Sequence, residues 1–183
     1  KADHLRKLIK TNFWLYDDRD EDEIYHPVLF EKGKQSRLTD VRYWAPFFSP
    51  MGYGFRFDAL ANILVSLFQL SNQHQQDQVD TYFASLTRDK GFVVPAFDPV
   101  INAIDDEWED LQVSFSYNFK NNPYEFHNGG LWPMVTGFYV MDLAQRQKTD
   151  LARQYQKGIN QANFLSTDKD AWGFYEFLQG KDH

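Results

Sequence analysis

Apolar residues in this chain recur in two matched pairs of segments. Asp58 to Leu70 is apolar on nearly all sides, with Ala59, Leu60, Ala61, Ile63, Leu64, Val65, Leu67, Phe68 and Leu70. A helix apolar all round is one that is buried. After a short polar turn, Gln75 to Arg88 carries Val79, Tyr82, Phe83 and Leu86 at helical spacing on one face, and Gly91 stops it. The pattern then repeats. Trp132 to Leu143 is again apolar nearly all round, and Leu151 to Leu165 is more polar and one-sided. Short turns between helices make antiparallel neighbours. An inner apolar layer and an outer amphipathic layer predict an all-α chain built of α/α hairpins, as in a toroid or solenoid. A plain helical bundle accounts for the same periods.

The remaining stretches are less regular. Residues 2–13 read as a helix with Leu5, Leu8 and Ile9 on one side. Residues 24–55, rich in Pro, Gly and aromatics, read as irregular. Val93-Val94 and Val113-Ser114-Phe115 read as short strands. Two acidic runs, Asp17–Glu23 and Asp105–Asp110, read as a solvated surface loop and a solvated helix start.

Composition narrows the chemistry. The net charge is −7, against a nucleic-acid partner or an anionic membrane surface. No apolar run is long enough to span a bilayer. Cys is absent, so disulfides, thiolate metal sites and a cysteine nucleophile are excluded, and a reducing compartment, taken as cytoplasmic, fits. No signal peptide is visible, and the chain, which begins at Lys1, reads as a fragment of something larger. Aromatics make up 17% of the residues. Most fill a core, but aromatics mixed with Asn, Gln, Asp and His also line carbohydrate clefts.

That mixture is densest at Asn122-Pro123-Tyr124-Glu125-Phe126-His127-Asn128-Gly129-Gly130-Leu131-Trp132-Pro133. The glycine pair allows positive φ and close backbone approach. Pro133 suits a first helical turn. The segment reads as a tight loop feeding a helix, lined with groups that stack on sugar rings and bond their hydroxyls. A loop whose aromatics seal the helix end is the plainer alternative. Hydrolysis of a glycoside needs two carboxylates. Glu176, among Trp172, Phe174, Tyr175 and Phe177, is the strongest candidate, since such neighbours desolvate a carboxylate. Glu125 and Asp58 also sit among aromatics, and Asp58 equally suits an N-cap. No metal-ligand cluster, nucleophile elbow or phosphate loop occurs, so no cofactor is expected.

The block Pro123–Pro133 resembles the "P-x-x-Y-H-N-G-G-S-W-P" block of the neutral/alkaline invertases. Phe55-Arg56-Phe57-Asp58-Ala59-Leu60-Ala61-Asn62 is similar to that family's "F-R-F-F-T-L-G-N", with Gly52-Tyr53 in the preceding "G-G-Y" segment. Trp172 through Gly180 resembles its "W-P-E-Y-Y-D-G", with two extra residues after Trp172. The resemblance implies a six-hairpin α/α toroid that hydrolyses sucrose with inversion. Residues 1–183 would be a single domain, the C-terminal part of that larger catalytic toroid.

By position, the resemblance implies that Glu176 is the general base. It places Arg56, His127, Asn128 and Trp132 in the sugar pocket, with Asp58, Tyr124, Gly129 and Trp172 as further substrate-binding candidates. The family's general acid, an Asp in an upstream Asp-Ser-Gly-type motif, has no counterpart in these residues. Asp58 stands where the family has an aromatic, and Glu125 and Leu131 where it has Ser. These departures leave debranching-type α-glucosidases open beside sucrose. A non-catalytic carbohydrate-binding or interaction module, and a lyase or epimerase using His127, are the rival classes. The expected partner is a small carbohydrate, with no nucleic acid and no membrane, and a homo-oligomer is left open.

Overall fold

The computed structural model describes residues 1–16, 23–35, 42–113, 117–165 and 173–181. Among them the chain is mostly helical, with a few two-residue strands. The helices are α1 (Ala2–Phe13), α2 (Pro27–Lys34), α3 (Ala59–Leu67), α4 (Gln73–Thr87), α5 (Trp108–Val113), α6 (Pro133–Gln145) and α7 (Thr149–Asn163). The chain divides into two compact units, Lys1–Phe83 and Ala84–His183.

The first unit holds an aromatic core. Trp14, Phe30, Trp44 and Phe57 are all buried. Trp14 and Trp44 lie 5.2 Å apart, and Phe57 meets Phe83 edge-on at 5.0 Å. Strands β1 (Phe48–Ser49) and β2 (Gly52–Tyr53) form a small antiparallel hairpin, Phe48 opposite Tyr53. Strand β3 (Phe57–Asp58) runs directly into α3.

Here the region expected to be irregular contains α2. Pro27 occupies its first turn, and His26 caps it, Nδ1 accepting from the Leu29 N–H at 3.3 Å. Pro at a helix start and Gly33 near its end are both compatible with a helix. They resemble breakers only when the cap is overlooked. Glu23, at the end of the first acidic run, is not simply solvated: it pairs with Lys7 and accepts from Thr11 Oγ1 at 3.2 Å. Residues 17–22 of that run lie outside the described residues.

Helix α3 is not buried all round. Its buried positions are Ala59, Asn62, Ile63 and Ser66. Asn62 goes inward because its carboxamide is used: Oδ1 accepts from the Trp44 N–H (2.9 Å), while Nδ2 donates to the carbonyls of Trp44 (3.3 Å) and Asp58 (2.9 Å). The next helix starts on a reciprocal cap, Asn72 and Gln75 each accepting the other's backbone N–H at 2.9 Å. That cap moves the start of α4 to Gln73, ahead of the apolar period.

In the second unit α6 and α7 pack along each other. Tyr139 meets Tyr155 edge-on at 4.8 Å, and the Tyr155 hydroxyl hydrogen-bonds Thr87 Oγ1 at 2.8 Å. Ala152, Tyr155, Gly158 and Ala162 form the buried stripe of α7, the one-sided helix its spacing predicts. The α6 prediction needs correction: Met134 and Met141 are 56% and 59% exposed. Buried instead are Val135, Thr136, Tyr139, Asp142 and Leu143, because Asp142 is bound by Arg146 (2.6 Å) and Thr136 accepts from the Val94 N–H (2.9 Å).

Val113 ends α5 rather than forming a strand, and Ser114-Phe115 lie outside the described residues. Val93-Val94 is extended but makes no ladder. It lies beside residues 130–132 through one isolated bridge, Pro95 to Leu131.

Candidate active site

The loop before α6 is held in an unusual backbone form. Tyr124 and Phe126 have φ of 70° and 42°, and Gly129 has φ of 88°. Left-handed conformations are costly for side chains with a Cβ and persist where surroundings enforce them. The Tyr124 N–H donates to the Asn128 carbonyl at 2.7 Å, and the Asn128 N–H to that of Glu125 at 2.9 Å. At Gly129 a Cβ would also overlap Val100. Gly129 is therefore required by packing, and its role here is to let the turn close.

The loop carries an aromatic stack. The His127 ring lies on Trp132, centroids 4.7 Å apart and planes 10° from parallel. Trp132 is buried and is fixed by its indole N–H, which donates to the Phe126 carbonyl at 2.8 Å. Phe177 lies on the same indole at 6.2 Å, and Phe126 closes the group edge-on to Phe177 at 5.6 Å. His127 itself is exposed. The result is a layered stack of His127, Trp132 and Phe177, with the imidazole its most exposed ring.

The segment bearing Glu176 is tied to this loop by its backbone. Leu131 and Leu178 exchange two hydrogen bonds, 2.9 and 2.8 Å, and the Gly180 N–H donates to the Tyr124 carbonyl at 2.8 Å. A Cβ on Gly180 would overlap the Gly129 carbonyl. Two stretches distant in sequence thus form one feature. Glu176, one residue before Phe177, is exposed, so its aromatic neighbours do not enclose it.

The other sequence candidates fall in different places. Tyr124 is half-buried, with Lys90 Nζ 5.7 Å over its ring. Asn128 is 2% exposed and turned inward. Its Oδ1 accepts from the Ile101 N–H (2.7 Å), and Nδ2 donates to the carbonyls of Ile101 (2.8 Å) and Asn121 (3.0 Å). Both amide protons are committed. Arg56 and Asp58 belong to the first unit. Asp58 caps α3, Oδ1 accepting from the Ala61 N–H at 2.9 Å. Trp172 lies outside the described residues. Glu125 accepts from Asn122 Nδ2 at 3.0 Å. Among the described residues no group of three or more His, Asp or Glu is placed to hold a metal.

The sequence profile of the alkaline and neutral invertases matches residues 39–182, which include this whole feature. The chain belongs to the alkaline and neutral invertase family. One relative is an Arabidopsis thaliana protein named alkaline/neutral invertase C, mitochondrial, 28% identical over 112 residues. That stretch is 61% of this chain, and the match spans only 16% of the relative's length.

Family membership gives the loop geometry a context. Leu131, a departure from the invertase block, is fully buried with Val93, Ala162 and Leu178. Its side chain therefore belongs to the apolar core of this unit. Sequence reasoning left out Phe126, Phe177 and Asn121 as site elements. The signal for Phe177 was its place beside Glu176, but only the Leu131–Leu178 pairing brings it onto Trp132.

Proposed function

We propose that this chain is the C-terminal part of an invertase-like α/α toroid that hydrolyses sucrose or a related glucoside with inversion of configuration. The observation that carries the reading is the backbone union of the His127 loop with the Glu176 segment. It sets an exposed carboxylate next in sequence to a ring of the sugar-stacking platform. In this reading the sugar rests on the exposed His127 ring, with Tyr124 among its polar contacts. Glu176 takes a proton from water as the water attacks the anomeric carbon. The leaving oxygen is protonated by a carboxylic acid outside these 183 residues.

Family membership supports a glycosidase. The absence of Cys fits a reducing compartment. The name of the Arabidopsis relative makes a mitochondrial setting as good as a cytoplasmic one. Among the described residues no helix is long and apolar enough to cross a membrane.

The test is turnover of a sugar panel by the full-length protein, with the first-formed anomer followed by NMR. Release of the inverted anomer, abolished in Glu176→Gln while sugar binding persists, is the expected outcome. Retained hydrolysis in Glu176→Gln removes Glu176 from the mechanism. An unsaturated or epimerised product replaces hydrolysis with lyase or epimerase chemistry.

A further inference from the structure

Asn128 makes the hydrogen bonds of a β-ladder with a side chain. Its carboxamide receives the Ile101 N–H and returns a bond to the Ile101 carbonyl, 2.7 and 2.8 Å. The second amide proton reaches the Asn121 carbonyl at 3.0 Å. The Asn121 side chain, also buried, completes the arrangement by accepting the His127 N–H at 3.1 Å. Two asparagines thus grip consecutive backbone positions, 127 and 128, from inside the unit.

The chemistry of the grip is selective. Asp has the same shape but no amide protons, and would face two carbonyl oxygens with a carboxylate. Gln has the groups but one methylene too many. Asn62 binds Trp44 and Asp58 by the same three-bond pattern. This fold therefore uses buried Asn repeatedly to pin irregular backbone.

We propose that Asn128 and Asn121 are positioning residues of the candidate sugar site: they act through His127, not on the sugar. The proposal rests on the sugar-site reading of this loop. Tyr124 and Phe126 occupy left-handed conformations that an unrestrained turn would leave. With the grip in place, the turn keeps the form in which the imidazole lies on Trp132. Without it, the ring leaves the indole and the platform loses its outer layer.

The experiment uses the full-length protein with Asn128→Ala, His127→Ala and the double variant. Asn121→Ala, which removes only the bond to the His127 N–H, serves as the milder variant should Asn128→Ala fail to fold. The first readout is tryptophan emission against pH. An imidazolium stacked on an indole quenches it, so a pH-dependent step that His127 contributes reports the stack. His127→Ala abolishes that step, and the asparagine variants are expected to abolish it too. The second readout is kinetic. Loss of either asparagine is expected to raise KM roughly tenfold, about one hydrogen bond's worth, with kcat much less changed. In the His127→Ala background the same loss adds nothing.

An unchanged emission step in a folded Asn128→Ala or Asn121→Ala protein overturns the proposal. So do KM effects that add in the two backgrounds, which mark a merely structural role. If His127→Ala leaves every sugar's kinetics unchanged, the sugar-site reading fails. The emission arm still decides whether the asparagines position His127.

Discussion

Leu131 and Leu178 face each other across a two-bond backbone bridge, and that pairing joins the His127 loop to the Glu176 segment. Leu131 leads into Trp132 and α6, and Leu178 follows Phe177 and Glu176. The bridge sets the loop and the terminal segment in one register. Gly180 extends it, because only hydrogen fits between its Cα and the Gly129 carbonyl.

Gly180→Ala is therefore expected to lift the Glu176 segment off the loop. Misplacement of a catalytic group by about 1 Å can cost a hundredfold in rate. A fall in kcat/KM of that order, with α6 and α7 intact by circular dichroism, is the expected result. Wild-type turnover in this variant would separate the segment from the chemistry.

Asp58 has two candidate roles, and one pair of substitutions separates them. Asp58→Asn keeps the cap on α3, whereas Asp58→Ala loses it at about 1 kcal/mol. Urea midpoints should fall for Ala alone. If Asp58 also touches sugar, KM rises for both; if it only caps, KM moves for neither.

Arg146 and Asp142 form a buried pair at the end of α6, with side chains 11% and 2% exposed. Asp142 Oδ1 has no hydrogen-bond partner, so Arg146 carries the compensation for that charge. Arg146→Met is expected to destabilise by about 3 kcal/mol, since it strands a buried carboxylate. The double variant Arg146→Met/Asp142→Leu should recover much of that loss in denaturant titrations.

Burial pushes the Tyr53 phenol from 10.0 up to about 12. Tyr16 is raised as well, by burial first and then by Tyr43. A raised folded value means that the native state holds its proton after the unfolded chain has released it. The corresponding stability is intact below pH 10 and is lost as pH climbs from there through about 12. Tyr53→Phe should flatten the decline in this window, read as urea midpoints across the alkaline range.

Helical periodicity identified α4 and α7, because each buries one face and exposes the other. Helix α1 forms where its spacing predicts, but Leu5 is 58% exposed and the buried positions are Thr11 and Asn12, which hydrogen-bond around Glu23 and Tyr25. Periodicity overstated the burial of α3 and α6. There the sequence shows apolar residues on every side, and what turns inward is chosen by partners remote in the chain: Asn62 by Trp44, Asp142 by Arg146. Helix α2 was hidden because its start depends on a His26 cap that no period announces. For the site, the motif around His127 was visible as a cluster of unusual residues. That Asn128 faces inward was not, since its partner Ile101 lies far upstream and carries no mark of the contact. The union of loop and tail was equally invisible, because backbone pairing between Leu131 and Leu178 leaves no trace in side-chain identity.

Asn128 is followed by glycine, the pairing most prone to spontaneous deamidation. Ageing begins when the glycine nitrogen attacks the asparagine side-chain carbonyl to close a succinimide. Here that carbonyl is occupied by the Ile101 N–H, and rotating it toward Gly129 would break three hydrogen bonds. The loop is therefore predicted to keep its amide while folded and to lose it when the turn opens. Peptide mapping of protein stored natively and in denaturant would read the difference, and equal conversion in both would contradict it. The same contacts that shape the platform would then also set its chemical lifetime.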